Sequence, residues 1–196
     1  VEMTFAGMGQ IQLRPQIGLT FSKAIRHVMR QAPDVIMVGE IRDLETLQMC
    51  AQAALSGHLV LTTLHADTSS IAVRRMLDIG LEPYLASAVL VGVISPLLVR
   101  TLCPICRRAF QPPLHSLPAP AVEFIQAHPK ATFFEPAGCP QCNGLGYRGR
   151  MAVYDILTMT SRLRQLVTDG ASADAIERAA REEESRSMLK DGLEKA

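Results

Sequence analysis

The chain has 196 residues, of which 48% are hydrophobic and 20% are charged, and its formal net charge is +1. This length suffices for one domain with a hydrophobic core, or for one and a half small ones. No apolar run reaches the roughly eighteen residues that a membrane-spanning helix needs, and a charge so close to zero excludes a chain-wide basic surface for nucleic acid or anionic lipid. The chain begins with Val1 and ends in a helical pattern without a cap, so we expect it to be a piece of a longer protein.

The first part of the chain predicts strands that alternate with helices. Apolar residues recur at helical spacing between Gly18 and Pro33, and the short apolar run Val35 to Val38 is typical of a strand covered on both faces. Asp43 is a suitable cap for a helix from Leu44 to about Ser56, and a second apolar strand follows in residues 58–65. Strand, helix and strand with short joints form a βαβ crossover, which predicts a doubly wound α/β sheet.

Two more helices are predicted before the composition of the chain changes at Leu102. One runs from about Ser70 to Ile79 and ends at Gly80, and the other covers Tyr84 to about Ile94. We expect Pro96 to break the second of these helices.

The later part of the chain mixes loops, a strand and helices. The prolines of QPPLHSLPAP, residues 111–120, predict a loop. The segment MAVYDIL, residues 151–157, predicts a strand, and two polar helices begin near Ser161 and Ser172.

A carboxylate follows directly on the first predicted strand. Glu40 lies two residues after Val38, and in open α/β sheets ligands bind beyond the carboxyl ends of the strands. An apolar strand that ends in an acid is the Walker B arrangement of P-loop nucleotide hydrolases, in which the acid serves the Mg²⁺ that bridges the phosphates. Taken alone, Glu40 is explained equally well as an acidic residue before a helix. Arg42 fits a contact with phosphate oxygens, and the simpler alternative for Arg42 and Asp43 is a local salt bridge.

Two histidines bracket the second predicted strand. His58 and His65 are seven residues apart, so in an unbroken strand they would point to opposite faces. His65 is more simply placed past the end of the strand, at the same edge as Glu40. A lone histidine of this kind is more often structural than catalytic. Thr62 and Thr63 fit a phosphate sensor, although threonine in a strand needs no functional reason.

Four of the five cysteines form two C-P-x-C pairs, Cys103 with Cys106 and Cys139 with Cys142, and thirty-two residues separate the pairs. Two C-x-x-C pairs suit tetrahedral Zn²⁺. Disulfides are disfavoured by the lack of a secretory signal and by the odd cysteine, Cys50, and a redox motif would not need two copies. We therefore predict a structural zinc site, because four thiolates leave no open position for a substrate, and we expect Cys50 to lie in the core.

Five arginines surround the predicted zinc site: Arg100, Arg107, Arg108, Arg148 and Arg150. This cluster supports a rival hypothesis, a zinc-ribbon nucleic-acid-binding protein. Against it stand the near-neutral net charge and the 5% of aromatic residues, which leave few platforms for stacking bases. A third hypothesis is a structural docking module that binds a membrane protein and never contacts nucleotide.

Four segments together resemble a known family. PDVIMVGEIRDLET, ALSGHLVLTTLHAD, LVRTLCPIC and CPQCNGLGYRGRMAVYDIL are similar to the GspE/PilB family, the secretion ATPases of bacterial type II secretion and type IV pilus assembly. The resemblance runs nearly end to end and implies the C-terminal part of a RecA-like P-loop ATPase that uses ATP and Mg²⁺. The phosphate-binding loop, G-x-x-x-x-G-K-[ST], does not occur in these 196 residues, so we expect this chain by itself to hydrolyse no ATP.

The resemblance also implies roles for individual residues. Glu2 matches the end of the family's aspartate box, whose glutamate is the base that polarises the attacking water, and Glu40 matches the Walker B glutamate. His58 and His65 match the two ends of the histidine box. The residues that match arginines near the subunit interface and the phosphates are Arg26, Arg30 and Arg42. For the first two of these arginines the alternative is the polar stripe of their helix.

The chain departs from the family pattern at two places. Ala32 stands where the family commonly has aspartate, and Pro96-Leu97 stands where it commonly has Gln-Arg. The second departure puts the role of that arginine in doubt and suggests a diverged member of the family or a different set of partners.

The resemblance predicts three parts: residues 1–98 as the C-terminal part of a RecA-like ATPase domain, 99–147 as a tetracysteine zinc subdomain, and 148–196 as a mostly helical region. It implies a homo-hexameric motor in the cytoplasm, peripheral on the inner membrane, that drives pseudopilus or pilus extension. The expected partners are an inner-membrane platform protein and a cytoplasmic adaptor, with no nucleic acid. Type II secretion and type IV pilus assembly both fit, whereas the family's retraction motors generally lack the four cysteines.

Overall fold

The computed structural model describes residues 3–183 and 185–195, apart from the side chain of Pro15. Its helices and strands are, in chain order, α1 (Phe21–Met29), β1 (Val35–Val38), α2 (Leu44–Leu55), β2 (Leu59–Thr62), α3 (Ser69–Ile79), α4 (Pro83–Val89), β3 (Gly92–Leu102), β4 (Arg108–Phe110), α5 (Ala119–Ala127), β5 (Phe133–Glu135), β6 (Tyr147–Thr158), α6 (Ser161–Thr168), α7 (Ala173–Glu182) and α8 (Met188–Lys195). None of these described helices has the length and apolar character needed to cross a bilayer.

The chain divides into two compact units. The first comprises the residues up to Val91 together with Met159–Ile176, and the second comprises Gly92–Thr158 and the residues from Glu177 onward. The domain limits predicted from the sequence, at residues 98 and 147, stay predictions.

β1 and β2 form the parallel pair that the sequence predicts, and α2 joins them. Ile36 and Val38 of β1 are buried, but Val35 and Met37 on its other face are 51% and 73% exposed. The prediction that β1 is covered on both faces is therefore wrong for the described residues. Parallel strands are usually buried on both sides, and here only the side that carries Ile36 and Val38 is packed.

The helix ends predicted at Asp43 and Gly80 are confirmed. The Asp43 carboxylate accepts a hydrogen bond from the Thr46 N–H at 2.8 Å, and the Thr68 hydroxyl accepts one from the Ile71 N–H at 3.2 Å. Acceptors at these positions satisfy backbone donors that the first turn of a helix leaves unpaired. Gly80 follows α3 with a φ of 112°, a left-handed conformation that glycine adopts at no steric cost.

The helices of the first unit bury its largest apolar side chains. Leu47 of α2, Val73 of α3, and Leu163 and Val167 of α6 are all at most 2% exposed. Full burial of a side chain of this size typically contributes about 1.5–3 kcal/mol. The apolar stripes of the predicted helices thus form one core, which supports the βαβ crossover.

In the second unit, β3 and β6 form a long antiparallel pair in which Pro96 lies opposite Tyr154. The helix predicted from Tyr84 to about Ile94 is wrong in its second half, because α4 ends at Val89 and β3 begins at Gly92. Pro96 breaks no helix and lies inside a strand. It fits there because β3 pairs only with β6 among the described residues, and proline is tolerated on edge strands, where its missing N–H costs no ladder bond.

The other departure from the family pattern lies in the first unit. Ala32 adopts a left-handed φ of 47° directly before Pro33. This conformation costs a residue other than glycine about 1–2 kcal/mol, and aspartate and asparagine tolerate it better than alanine does.

The segment between the two cysteine pairs contains more structure than the sequence predicts. β4 and β5 are antiparallel, with Arg108 opposite Glu135. The predicted loop of residues 111–120 contains a 3₁₀ turn, Leu114–Ser116, and leads into α5, which the sequence pattern did not indicate.

A buried carboxylate fastens α8 to β6. Asp191, which is 1% exposed, accepts hydrogen bonds from the Tyr154 N–H at 2.9 Å and from Lys195 Nζ at 2.5 Å, and its other oxygen pairs with Arg186 Nε at 2.5 Å. The hydrogen bond from Lys195, helped by Tyr154 and Arg186, outweighs burial and holds the pKa of Asp191 below its usual value. The two C-terminal helices predicted from the sequence are confirmed as α6 and α7, and α8 follows them.

Candidate functional site

The carboxyl end of β1 brings together three titratable or charged side chains. The Glu40 carboxylate accepts a hydrogen bond from Arg42 Nε at 2.8 Å, and His65 Nε2 lies 3.0 Å from its other oxygen. The Glu40 side chain is 24% exposed, whereas Arg42 and His65 are mostly exposed. The hydrogen bond from Arg42 outweighs burial and holds the pKa of Glu40 below its usual range. Glu40 is therefore a carboxylate at neutral pH. Arg42 forms its salt bridge with Glu40, while the Asp43 carboxylate caps α2.

The chemistry of this edge fits a magnesium nucleotide. Mg²⁺ prefers oxygen ligands and is commonly held by one or two carboxylates together with substrate phosphates. Glu40 supplies such a carboxylate, and the Arg42 guanidinium beside it is a group that recognises phosphate oxygens. These residues offer the ligand for the ion, but the cradle for the phosphates would have to come from a phosphate-binding loop, which the 196 residues do not contain.

Thr63 ties the chain on both sides of Glu40. Its hydroxyl donates a hydrogen bond to the Gly39 carbonyl at 2.6 Å, and its own carbonyl accepts one from the Ile41 N–H at 3.1 Å. Sequence reasoning considered Thr63 only as a phosphate sensor or as a strand residue. It missed this contact, because the pattern along one strand does not show which carbonyl of the neighbouring segment a hydroxyl faces.

His58 lies at the other end of β2 from His65. Its ring Nδ1 is 3.0 Å from the Ala53 carbonyl, and its backbone N–H donates to the same carbonyl at 3.2 Å. Both contacts tie the start of β2 to the C-terminal turn of α2. The structure therefore gives His58 a local structural contact, and its role in a histidine box stays a prediction.

Three further residues assigned by the resemblance are separate from the Glu40 cluster or lie beyond what is described. Arg26 and Arg30 are exposed near the end of α1, and within residues 3–183 and 185–195 neither forms an ion pair. This placement fits the polar stripe of an amphipathic helix, whose inner face buries Ala24 and Ile25. Glu2 lies outside the described residues. The roles of these three residues stay predictions.

The four thiols of the two cysteine pairs converge in the second unit, where their Sγ atoms all lie within 4.8 Å of one another. Cys139 Sγ is 4.0 Å from Cys103 Sγ and 3.7 Å from Cys142 Sγ, and Cys106 Sγ is 3.8 Å from Cys142 Sγ. A tetrahedron with Zn–S bonds of about 2.3 Å has S···S edges of about 3.8 Å. The spacing therefore fits one Zn²⁺, and all four cysteines are free thiols.

The backbone around Cys142 favours its thiolate. Burial by itself raises the pKa of this thiol, but the N–H groups of Cys139 and Gly146, at 3.2 Å and 3.1 Å from Sγ, lower the pKa of Cys142 to about 6. Burial instead raises the pKa of Cys106 to about 11. Because the thiolate is the form that binds a metal, zinc binding would release the proton of Cys106.

Two glycines allow the cysteine loops to close. Gly146 has a φ of 76°, and its carbonyl accepts a hydrogen bond from the Cys103 N–H at 2.9 Å. A Cβ at Gly146 would lie 2.6 Å from Pro136 Cβ, and a Cβ at Gly138 would lie 2.6 Å from the Gly144 carbonyl oxygen. No side chain fits at either position, a requirement that the sequence analysis did not identify.

The aromatic rings near the cysteines are covered by arginines. The Arg100 guanidinium stacks on Tyr147 at 4.0 Å, and that of Arg107 stacks on Phe134 at 4.3 Å. One face of each ring is thus occupied by a guanidinium, so only the other face of each ring could stack on a nucleic-acid base.

Cys50 is buried in α2, as the sequence predicts. Burial raises the pKa of its thiol to about 11. A thiol of this kind is inert, which agrees with a place in the core.

A family profile and two curated relatives each match the whole length of this chain. The profile of a family described as "Type II/IV secretion system protein" matches residues 1–196. The chain is 41% identical over 197 residues to the putative type II secretion system protein E of Escherichia coli K12, and 40% identical over 196 residues to the type IV pilus assembly ATPase PilB of Thermus thermophilus. Both alignments cover 100% of this chain but only 39% and 22% of those two proteins. The chain thus spans well under half the length of these relatives.

Comparison with solved structures agrees on the fold. The pilus retraction motor PilT with bound ADP matches with a TM-score of 0.57 and 25% identity, over 88% of this chain and 38% of PilT. The ATPase DotB of Legionella pneumophila matches with a TM-score of 0.56 and 22% identity, over 88% of this chain and 37% of DotB, a likeness that shows the fold alone. These neighbours are RecA-like P-loop ATPases, so the predicted α/β RecA-like fold with a tetracysteine cluster is confirmed.

Proposed function

Because the chain belongs to the type II/IV secretion system protein family, we propose that it is the C-terminal portion of an ATPase motor that drives pseudopilus assembly in type II secretion or pilus assembly in type IV pilus biogenesis. The observation that carries the proposal is the similarity of the whole chain, at 40–41% identity, to proteins named for both systems. The carboxylate at the end of β1 supports it, because this is where an α/β sheet binds its ligand.

In the proposed mechanism, Glu40 serves the metal. Bound Mg²⁺ neutralises charge that develops on the phosphates during transfer. Glu40, which Arg42 and His65 keep anionic, would hold this ion or its water, and the Arg42 guanidinium beside it would be the group that contacts phosphate oxygens. Glu2 is the proposed base that polarises the attacking water.

The motor is proposed to work as a homo-hexamer. Arg26 and Arg30 are the proposed cationic residues at the subunit interface, where a guanidinium neutralises charge only when the neighbouring subunit is docked. The assembly would sit in the cytoplasm, peripheral on the inner membrane, and bind an inner-membrane platform protein and a cytoplasmic adaptor.

The four clustered cysteines hold one structural Zn²⁺ in this proposal. The spacing of their sulfur atoms supports this, since it matches a tetrahedron of thiolates. ATP and Mg²⁺ are the cofactors of turnover, and zinc is a cofactor of folding.

The test of the proposed function uses the full-length protein. Glu40→Gln keeps the size of the side chain and removes its charge, so we expect ATP turnover to fall by at least about a hundredfold while nucleotide binding is largely retained. Glu45→Gln, on an exposed residue of α2, is the matched control and should keep turnover within about twofold. The 196-residue chain by itself should show no saturable, magnesium-dependent turnover, because a phosphate-binding loop normally supplies most of the phosphate contacts.

Two outcomes would contradict this assignment. Near-normal turnover by Glu40→Gln would mean that another carboxylate serves the metal. A wild-type full-length protein that hydrolyses no ATP would refute the motor itself.

A further inference from the structure

We propose that Thr63 is a positioning residue that holds the Glu40 carboxylate in the orientation in which it serves the metal. This inference rests on the proposed function, because it concerns the same magnesium site. It begins from the two hydrogen bonds of Thr63, from its hydroxyl to the Gly39 carbonyl at 2.6 Å and from the Ile41 N–H to its carbonyl at 3.1 Å.

Glu40 lies in a part of the chain that regular pairing no longer restrains. The register of β1 and β2 ends at Val38 opposite Thr62, so Gly39 and Glu40 follow the last ladder pair. A Cβ added to Gly39 would have no neighbouring atom within 4 Å. A glycine in open space has the largest backbone freedom of any residue. Without a further restraint, variation in the backbone angles of Gly39 would change the direction of the Glu40 side chain.

The two hydrogen bonds supply the restraint on opposite sides of Glu40. One holds the peptide group before Glu40, through the Gly39 carbonyl, and the other holds the peptide group after it, through the Ile41 N–H. Ile41 is itself buried, at 5% exposure, so the second anchor is also packed. The direction in which the Glu40 side chain leaves the backbone is therefore set by Thr63, the residue directly after β2.

Thr62 provides an internal comparison. It precedes Thr63 and lies in the regular ladder opposite Val38. Both threonines are exposed and branched at Cβ, so the change to valine replaces a hydroxyl by a methyl group of similar size at each position. Within the part of the chain that the structure describes, the Thr62 hydroxyl has no hydrogen-bond partner, whereas that of Thr63 holds Gly39.

Replacing Thr63 by valine removes only one of the two anchors. The backbone carbonyl that accepts from Ile41 remains, and Gly39 is exposed, so water can take the place of the lost hydroxyl. The loss of one such hydrogen bond corresponds to about a threefold to tenfold change in an equilibrium constant. We therefore expect a change in metal affinity of this size and no loss of the fold.

The experiment compares Thr63→Val, Thr63→Ser and Thr62→Val in the full-length protein. Binding of Mn²⁺, as a stand-in for Mg²⁺, is measured by electron paramagnetic resonance in the presence of ADP. The Mg²⁺ dependence of ATP turnover and the thermal unfolding midpoint are measured alongside. Thr63→Val should weaken Mn²⁺ binding and raise the Mg²⁺ concentration for half-maximal turnover by about threefold to tenfold, while its unfolding midpoint stays within a few degrees of the wild-type value. Thr63→Ser, which keeps the hydroxyl, and Thr62→Val should both behave like the wild type.

A double variant tests whether Thr63 acts through Glu40. In a Glu40→Gln background the carboxylate that Thr63 positions is gone, so Thr63→Val should weaken Mn²⁺ binding no further. If the effects of Thr63→Val and Glu40→Gln on Mn²⁺ binding were additive, the inference would be overturned. It would also be overturned if Thr63→Val bound Mn²⁺ as well as Thr62→Val does, or if Thr63→Ser bound it as weakly as Thr63→Val does. A lowered unfolding midpoint with unchanged Mn²⁺ binding would also overturn it, in favour of a purely structural role. If the wild-type protein hydrolyses no ATP, the proposed function fails first and this inference fails with it.

Discussion

Gly146 offers a sharp test of the zinc site, because its backbone contacts both cysteine pairs. Its N–H donates to Cys142 Sγ at 3.1 Å, and its carbonyl accepts from the Cys103 N–H at 2.9 Å. A Cβ at this position would lie 2.6 Å from Pro136 Cβ and 3.2 Å from Pro136 Cα. The proline ring is closed onto its own backbone nitrogen, so its Cβ cannot rotate away. Gly146→Ala must therefore displace either Pro136 or the peptide groups that hold the two cysteines.

The magnitude follows from comparison with Gly144. The two glycines have almost the same φ, 76° at Gly146 and 77° at Gly144, but a Cβ at Gly144 would meet nothing within 4 Å. An alanine at either position incurs the same left-handed strain of about 1–2 kcal/mol. Only Gly146→Ala adds the overlap, since ordinary carbon contacts are about 3.5–4.0 Å and overpacking of this kind costs about 1–3 kcal/mol. Zinc binding by Gly146→Ala should therefore be about fivefold to a hundredfold weaker than by Gly144→Ala.

The assay is competition for zinc between the 196-residue chain and a chromophoric chelator, with X-ray absorption to count the sulfur ligands. Wild type and Gly144→Ala should retain four sulfur ligands at about 2.3 Å, while Gly146→Ala should release zinc at lower chelator concentration. Equal zinc affinity in the two alanine variants would refute the argument from the Pro136 contact. Weaker binding by Gly144→Ala than by Gly146→Ala would refute it as well, because the left-handed strain is the same in the two variants.

Two further predictions concern the second unit. Chelation of zinc, or Cys139→Ser, should open residues from about 102 to 147 to proteolysis while a fragment that contains β1, α2 and β2 stays folded, because metal binding is coupled to folding of the loops that supply the ligands. Cys50→Ala is the control and should keep one zinc per chain. Protein that carries no metal although all four thiols are reduced would rule the site out. In the folded protein the pKa of Asp191 lies below its usual value. The ion pairs of Asp191 therefore stabilise the folded state above about pH 4, which is the ordinary pKa of an aspartate. This contribution is lost as the pH falls through the lowered pKa of the folded state. In the wild type, hydrogen exchange of the β6 amides should therefore become faster between about pH 5 and pH 3 than the intrinsic pH dependence of exchange accounts for. Asp191→Asn should show no such extra acceleration, and equal pH dependence of the two proteins would contradict this account.

Much of the first unit was predictable, because its elements depend on residues close together in the sequence. The apolar runs predicted β1 and β2, the Asp43 cap and Gly80 predicted the ends of helices, and the order strand, helix, strand predicted the parallel pair. These signals need only the spacing of apolar residues and the conformational preferences of single residues.

The errors arose where a distant partner decides the local structure. Residues Gly92 to Pro96 fit either the end of a helix or the start of a strand, and proline was interpreted as a helix breaker. Pairing with β6, far along the chain, made this segment an edge strand in which Pro96 is tolerated. The exposed Val35 and Met37 show the same dependence, since an apolar run cannot indicate which of its faces a given chain covers.

The sequence by itself determined the presence of a carboxylate after an apolar strand, the two cysteine pairs and their suitability for zinc, and the similarity to a family, because each of these needs only the identity and spacing of residues. Only the tertiary structure decided that Thr63 ties both sides of Glu40, that Arg42 and His65 contact different oxygens of this carboxylate, and that Gly146 joins the two cysteine pairs. The physical reason is that hydrogen bonds and steric contacts act over about 3–4 Å between atoms that the chain itself keeps apart, so they exist only after the segments have packed.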